Sequence, residues 1–185
     1  MSPAPKNPDE PHFGDLFMTI TDIEDAASEI IQLLSDYKTE NSSKREMRID
    51  PVVYAYFQAQ FGHMSRQFYV RMHSKPKPQR IDFRYGTSNP VVFEFAVRTE
   101  LSEGTLYGSQ NVTELCKLTR VIPSHARKRV LLLLDLCSQP INKEQLKKTY
   151  DKLNAGKGNF QRHPVRVIYA NKSAVGGRES QTQVA

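Results

Sequence analysis

Residues 79–98 read QRIDFRYGTSNPVVFEFAVR. Two strand-like runs, Gln79–Tyr85 and Val91–Arg98, flank the cluster GTSNP, whose Gly, Ser, Asn and Pro favour a turn. So short a link implies antiparallel neighbours. Side chains along a strand alternate between faces. Arg80, Asp82 and Arg84 should therefore share one face of the first run, and Ile81, Phe83 and Tyr85 the other. On the second run Glu94, Ala96 and Arg98 share a face, opposite Phe93, Phe95 and Val97. Each run places one carboxylate among apolar neighbours, and the two can fall on one face of the sheet. Two acids brought within about 5 Å repel and resist joint ionisation. A divalent cation relieves that conflict, and Mg²⁺ is suited by one or two carboxylates with waters and phosphate oxygens. Asp82 and Glu94 are thus candidate metal ligands for Mg²⁺, with Mn²⁺ as a substitute. The pattern leaves a second reading open: cross-strand ion pairs, Asp82 with Arg84 or Arg98 and Glu94 with Arg80.

Working outward, Gln67–Met72 reads as a strand preceding this pair, joined to it by SKPKP, which completes a three-strand meander. Upstream, Thr21 or Asp22 can cap a helix whose apolar residues Ile23, Ala26, Ala27, Ile30 and Ile31 recur at helical spacing to about Tyr37. Asp50 as cap with Pro51 at the first helical position opens a second helix running to Gly62, apolar nearly all round and so expected to be buried. Downstream, a helix over about Ser109–Val121 is stopped by Pro123. RVLLLLDL (residues 129–136) is a strand of the kind covered on both faces. A Lys-rich amphipathic helix spans about Asn142–Asn154, and Val165–Ala170 is a last strand. The order α-α-βββ-α-β-α-β predicts an α/β fold: a mixed central sheet, an antiparallel meander followed by αβαβ, with helices on both faces. Residues 1–13, rich in proline, read as a disordered leader, 14–172 as a single domain (helices 21–62, core 64–171) and 173–185 as a flexible tail.

The 185 residues carry 26 Lys and Arg against 20 Asp and Glu, a net charge of +6. The charge is unevenly spread, because residues 1–50 are acidic and residues 51–185 strongly basic. A basic body suits a polyanionic partner. No apolar run approaches the roughly 20 residues that span a bilayer, so no membrane partner is expected. MSPAPKNPDEP has no apolar h-region of a secretory signal. Cys116 and Cys137 are too few for a disulfide scaffold, and free thiols fit a reducing, intracellular compartment, cytoplasmic or nuclear.

The stretch at 79–98 resembles the core of the PD-(D/E)XK, or restriction-endonuclease-like, nuclease superfamily. That family places an Asp at the second strand of a meander, then an acid, any residue and a Lys on the third. Asp82 matches the first acid and Glu94 the second, and the resemblance extends over roughly residues 50–171. It implies metal-dependent phosphodiester hydrolysis on nucleic acid, DNA before RNA, with Asp82 and Glu94 holding the metal. The motif Lys position is Ala96, which can neither position water nor offset charge. Arg98 and Arg84 are the replacements the sequence offers, and Gln110 at the start of the following helix matches a Gln that some members use. Arginine stays protonated, so it can clamp a phosphate but cannot act as the base. The candidate catalytic set is therefore Asp82, Glu94, Arg98 and Gln110. Arg80, Arg84, Arg127, Lys128, Lys157 and Arg162 form the candidate nucleic-acid-binding set.

The same Ala96 supports an alternative: a catalytically inactive nuclease-like module that binds nucleic acid. A third class is a protein-interaction component of a larger assembly, or a homodimer, docking through the acidic first helix or the apolar Val52–Phe61 segment. The five histidines show no ligand spacing in sequence.

Overall fold

A computed structural model of the chain describes residues 18–35, 45–87, 90–100, 106, 108–154 and 163–172. The leader 1–13, the tail 173–185, Lys157 and Arg162 lie outside these residues. The run Val130–Leu134 explains the architecture, since it has no polar side to turn to water. It sits in strand β4 (Lys128–Asp135), between β3 (Val91–Arg98) and β5 (Arg166–Asn171), parallel to both. β1 (Met64–Val70), β2 (Gln79–Tyr85) and β3 form the expected antiparallel meander. The result is one five-stranded mixed sheet in the order β1-β2-β3-β4-β5.

Helices cover both faces. α1 (Ile20–Leu33) packs on β4 and β5, and α2 (Arg45–Phe61) on β1 and β3. Opposite them, α3 (Ser109–Thr119) lies on β3 and β4, and α4 (Lys143–Asn154) on β5 and α3. Two buried clusters follow. Ile23, Ile30, Val53 and Phe57 meet Phe93, Phe95, Val130, Leu132 and Leu134 on one side. Leu115, Leu118, Leu146 and Tyr150 meet Val92, Ala96, Leu131 and Leu133 on the other. Each such side chain taken from water contributes roughly 1.5–3 kcal/mol.

The helix boundaries differ from expectation where tertiary contacts intervene. α1 is capped by Thr19 rather than by Thr21 or Asp22. The Thr19 hydroxyl accepts from the Asp22 N–H at 3.1 Å, and the Asp22 carboxylate accepts from the Thr19 N–H at 2.6 Å. This reciprocal pair satisfies two orphan donors of the first turn. α2 begins at Arg45 and carries Pro51 inside it rather than at its start. It is also not buried all round. Ile49, Val53 and Phe57, four apart, face the core, while Pro51, Ala55, Gln58, Ala59 and Gln60 are exposed. β1 starts at Met64, earlier than expected, and Met72 instead forms a lone bridge with Val121.

Among the described residues, no helix is long and apolar enough to cross a membrane.

Candidate active site

The β2–β3 ladder pairs Tyr85 with Val91, Arg84 with Val92 and Phe83 with Phe93. The next pair in this register would be Asp82 with Glu94, and there the ladder stops. The Phe95 N–H donates to Asp82 Oδ2 at 3.1 Å, so a side chain takes a donor that a strand carbonyl would otherwise accept from. On the other side of β2 the β1 register skips the same point. Arg66 pairs with Phe83 and Phe68 with Ile81, but Gln67, across from Asp82, sits at φ 53°. A left-handed backbone at a non-glycine residue costs about 1 kcal/mol or more.

This break reverses the faces. Phe83 and Tyr85 pack with the α1–α2 cluster, whereas Ile81 packs with the α3–α4 cluster. Regular alternation, which puts Ile81 beside Phe83, is therefore corrected at Asp82. β3 keeps its alternation: Phe93 and Phe95 face one layer, Val92 and Ala96 the other. Glu94 lies between Val92 and Ala96, faces α3 and is 1% exposed.

α3 brings the group that the sequence did not assign. Lys117 Nζ lies 2.6 Å from Glu94 Oε1, contacts the Glu114 carboxylate one turn back and donates to the Arg80 carbonyl at 3.1 Å. An ammonium thus reaches Glu94 from α3, whereas Ala96 offers only a methyl group. Glu94 Oε1 has no aligned hydrogen-bond donor, so the contact is a close approach of ammonium and carboxyl rather than a directed bond.

Burial, and then the charge and hydrogen bond of Asp82, push the Glu94 carboxyl up to about 10. Burial pulls Lys117 downward, but Glu94 and Glu114 outweigh it, and its ammonium is held above the ordinary range. At neutral pH Glu94 therefore keeps its proton beside a charged lysine. The arrangement can bind a cation in exchange for that proton, or offset charge that develops on a bound phosphate.

The other expected residues are placed as follows. Arg98 does not reach Asp82 or Glu94. Its Nη1 bonds Asp135 Oδ2 at 3.0 Å and the Gln139 carbonyl at 3.1 Å, because parallel pairing sets Arg98 beside Asp135. Arg84 lies over the Phe68 ring, 4.4 Å from its centroid, and donates to the Thr87 carbonyl at 3.1 Å. Arg80 is exposed, with only its carbonyl in the site. Neither acid pairs with these arginines: Glu94 meets Lys117, and Asp82 accepts from the Phe95 N–H. Gln110 is exposed on the first turn of α3, roughly two turns before Lys117. Arg127 is exposed at the opening of β4. Lys128 donates to the Met18 carbonyl at 3.0 Å and ties β4 to the start of α1.

One further grouping escaped the sequence. His73 and His163 meet with Nε2 atoms 3.1 Å apart, although they are far apart in the chain. Burial, with Arg129 and the facing His73, holds His163 below the ordinary histidine range. Among the described residues, no group of three or more His, Cys, Asp or Glu is arranged to hold a metal ion.

Comparison with family models, curated proteins and solved structures found no match to this chain.

Proposed function

We propose that the chain is a restriction-endonuclease-like nuclease that hydrolyses phosphodiester bonds in nucleic acid, DNA before RNA. The observation that carries this reading is Lys117 Nζ at 2.6 Å from Glu94 Oε1, beside Asp82 at the open end of the β2–β3 ladder. It supplies the cation that the motif lacks at Ala96. Asp82 and Glu94 are the residues that would hold Mg²⁺ or Mn²⁺; two adjacent carboxyl groups suit an ion that takes few protein ligands. Such an ion, when bound, supplies Lewis-acid polarisation of the phosphate and a lower water pKa. Lys117 stays charged, and from that position it orients a phosphate oxygen and offsets negative charge that grows on it. Glu114, on the same helix, holds Lys117 in place.

The test is cleavage of supercoiled and single-stranded DNA with Mg²⁺ or Mn²⁺, by wild type, Asp82→Asn, Glu94→Gln and Lys117→Met. Each variant should lose roughly 100- to 1000-fold in rate, the scale of removing one charge-stabilising group. Equal cleavage by all four proteins would sink the enzymatic reading. A second reading, an inactive module that binds nucleic acid, draws on Glu94 being 1% exposed and already paired with Lys117. It is chosen if calorimetry detects no heat with either metal while DNA binding persists and weakens steeply with salt.

A further inference from the structure

Beyond Phe68, β1 and β2 turn a different set of side chains to water. Phe68, Val70 and Met72 point to the α3–α4 cluster, so the residues between them, Tyr69 and Arg71, face the other way. Tyr69 is 62% exposed, one of two large hydrophobic side chains so exposed among the described residues. It lies directly opposite Arg80 in the β1–β2 register, and directly opposed residues of an antiparallel pair share a face. Arg80 and Arg71 are exposed, as are Lys75 and Lys77 in the connecting loop. Asp82 is the lone acid between Gly62 and Gly86. An open aromatic ring among cations has no role in packing the core. It has the chemistry that binds unpaired bases, a flat π-face for stacking with positive charge for the phosphates on either side. Duplex DNA hides its base faces and could use the cations but not the ring.

The strip lies on the face of the sheet opposite Glu94 and Lys117. Arg80 is two residues from Asp82 along β2, roughly 7 Å, and its carbonyl accepts from Lys117. We infer that the Tyr69–Arg80 face is a single-strand subsite, which stacks a base on Tyr69 and holds the flanking phosphates with Arg80 and its neighbouring cations. This goes beyond the proposed nuclease function and does not depend on it. The expected ligand is single-stranded or locally unpaired nucleic acid, bound without sequence preference.

The experiment is fluorescence anisotropy with a labelled oligothymidine of about 12 nucleotides, a length within the span of single-strand sites, and a labelled hairpin duplex. Binding is read in EDTA, so that cleavage and metal binding play no part. Tyr69→Ala should weaken oligothymidine binding roughly 5- to 150-fold, the range for one lost base stack. It should leave duplex affinity unchanged, and Tyr69→Phe should retain the wild-type value. Arg80→Ala should weaken single-strand binding and reduce its salt slope by roughly 0.7 for one lost phosphate contact. Unchanged single-strand affinity in Tyr69→Ala, or an equal loss on duplex, would overturn the subsite. So would displacement of the oligonucleotide by polyglutamate or another acidic polypeptide at matched charge. If wild type cleaves DNA but Tyr69→Ala binds normally, the subsite fails and the nuclease reading stands. If single-strand binding depends on Tyr69 but no cleavage occurs, the nuclease reading fails and the binding face remains.

Discussion

At the scale of single residues, the chemistry rests on a buried glutamic acid that keeps its proton. In the unfolded chain Glu94 ionises in the ordinary range, near 4.5, and in the folded chain only near 10. Between those values the folded state holds a proton that the unfolded state does not, so stability from this group is full below about pH 4.5 and falls as pH rises. Glu94→Gln mimics the protonated form and lacks the slope. Its melting temperature should exceed that of wild type by a margin that grows from about pH 5 to about pH 9, as read by calorimetry at several pH values without divalent metal. Parallel melting curves would mean that Lys117 holds Glu94 ionised. The two acids could be found in sequence because each lies at an alternating position among Phe, Val and Ile. Lys117 could not. It comes from a helix, across a loop, and a lysine in a last turn reads equally well as a solvated partner of the helix C-terminus. The one local hint was its position between the core residues Leu115 and Leu118, with Glu114 one turn back.

At the scale of elements, periodicity found the four α-helices and five strands of the described fold in order, since each carries an apolar stripe of period 3.6 or 2, but not the short 3₁₀ turn at Pro123–His125. It could not find the face reversal at Asp82, because nothing in the letters marks Gln67 for a left-handed backbone. Nor could it find the second polar centre. Asp135, fully buried at the end of β4, accepts from Arg98, from the Tyr169 hydroxyl at 2.8 Å, and from the N–H groups of Cys137 at 3.2 Å and Ile141 at 3.0 Å. Three strands and the link into α4 therefore meet on one carboxylate. Arg98, read from sequence as a catalytic group, belongs to this structural centre. Asp135→Ala should cost roughly 3–5 kcal/mol, because it leaves several buried donors and a half-buried guanidinium without a partner. For a domain of this size that lowers the melting temperature by about 10 °C. Tyr169→Phe should cost only about 1 kcal/mol, since the carboxylate keeps its other donors. A loss below 1 kcal/mol in Asp135→Ala, measured by urea unfolding, would show that the centre is solvent-compensated.

At the scale of the whole molecule, α1 and one set of exposed cations lie at opposite ends of the sheet. α1 lies over β4 and β5, while the exposed cations on β1, β2 and the loop between them lie at the other end of the sheet. The central strands β3 and β4 are covered on both sides, and β1 and β5 are the edges. Backbone amides of β3 and β4 should exchange with deuterium last, at the free energy of global unfolding, and those of β1 and β5 earlier through local opening. Equal protection across all five strands would indicate that the edges are covered in solution. The parallel pairing of β3 with β4 also bears on how the chain is made. During synthesis the meander can close as soon as Arg98 has emerged, but the β4 partner of β3 is not complete until Asp135. At typical elongation rates, the apolar row Val91–Val97 waits roughly 2–7 s for the strand that will cover its open edge. In that interval the nascent chain presents its most adhesive surface, and the rate of translation through residues 99–135 sets how long that surface stays exposed to other chains.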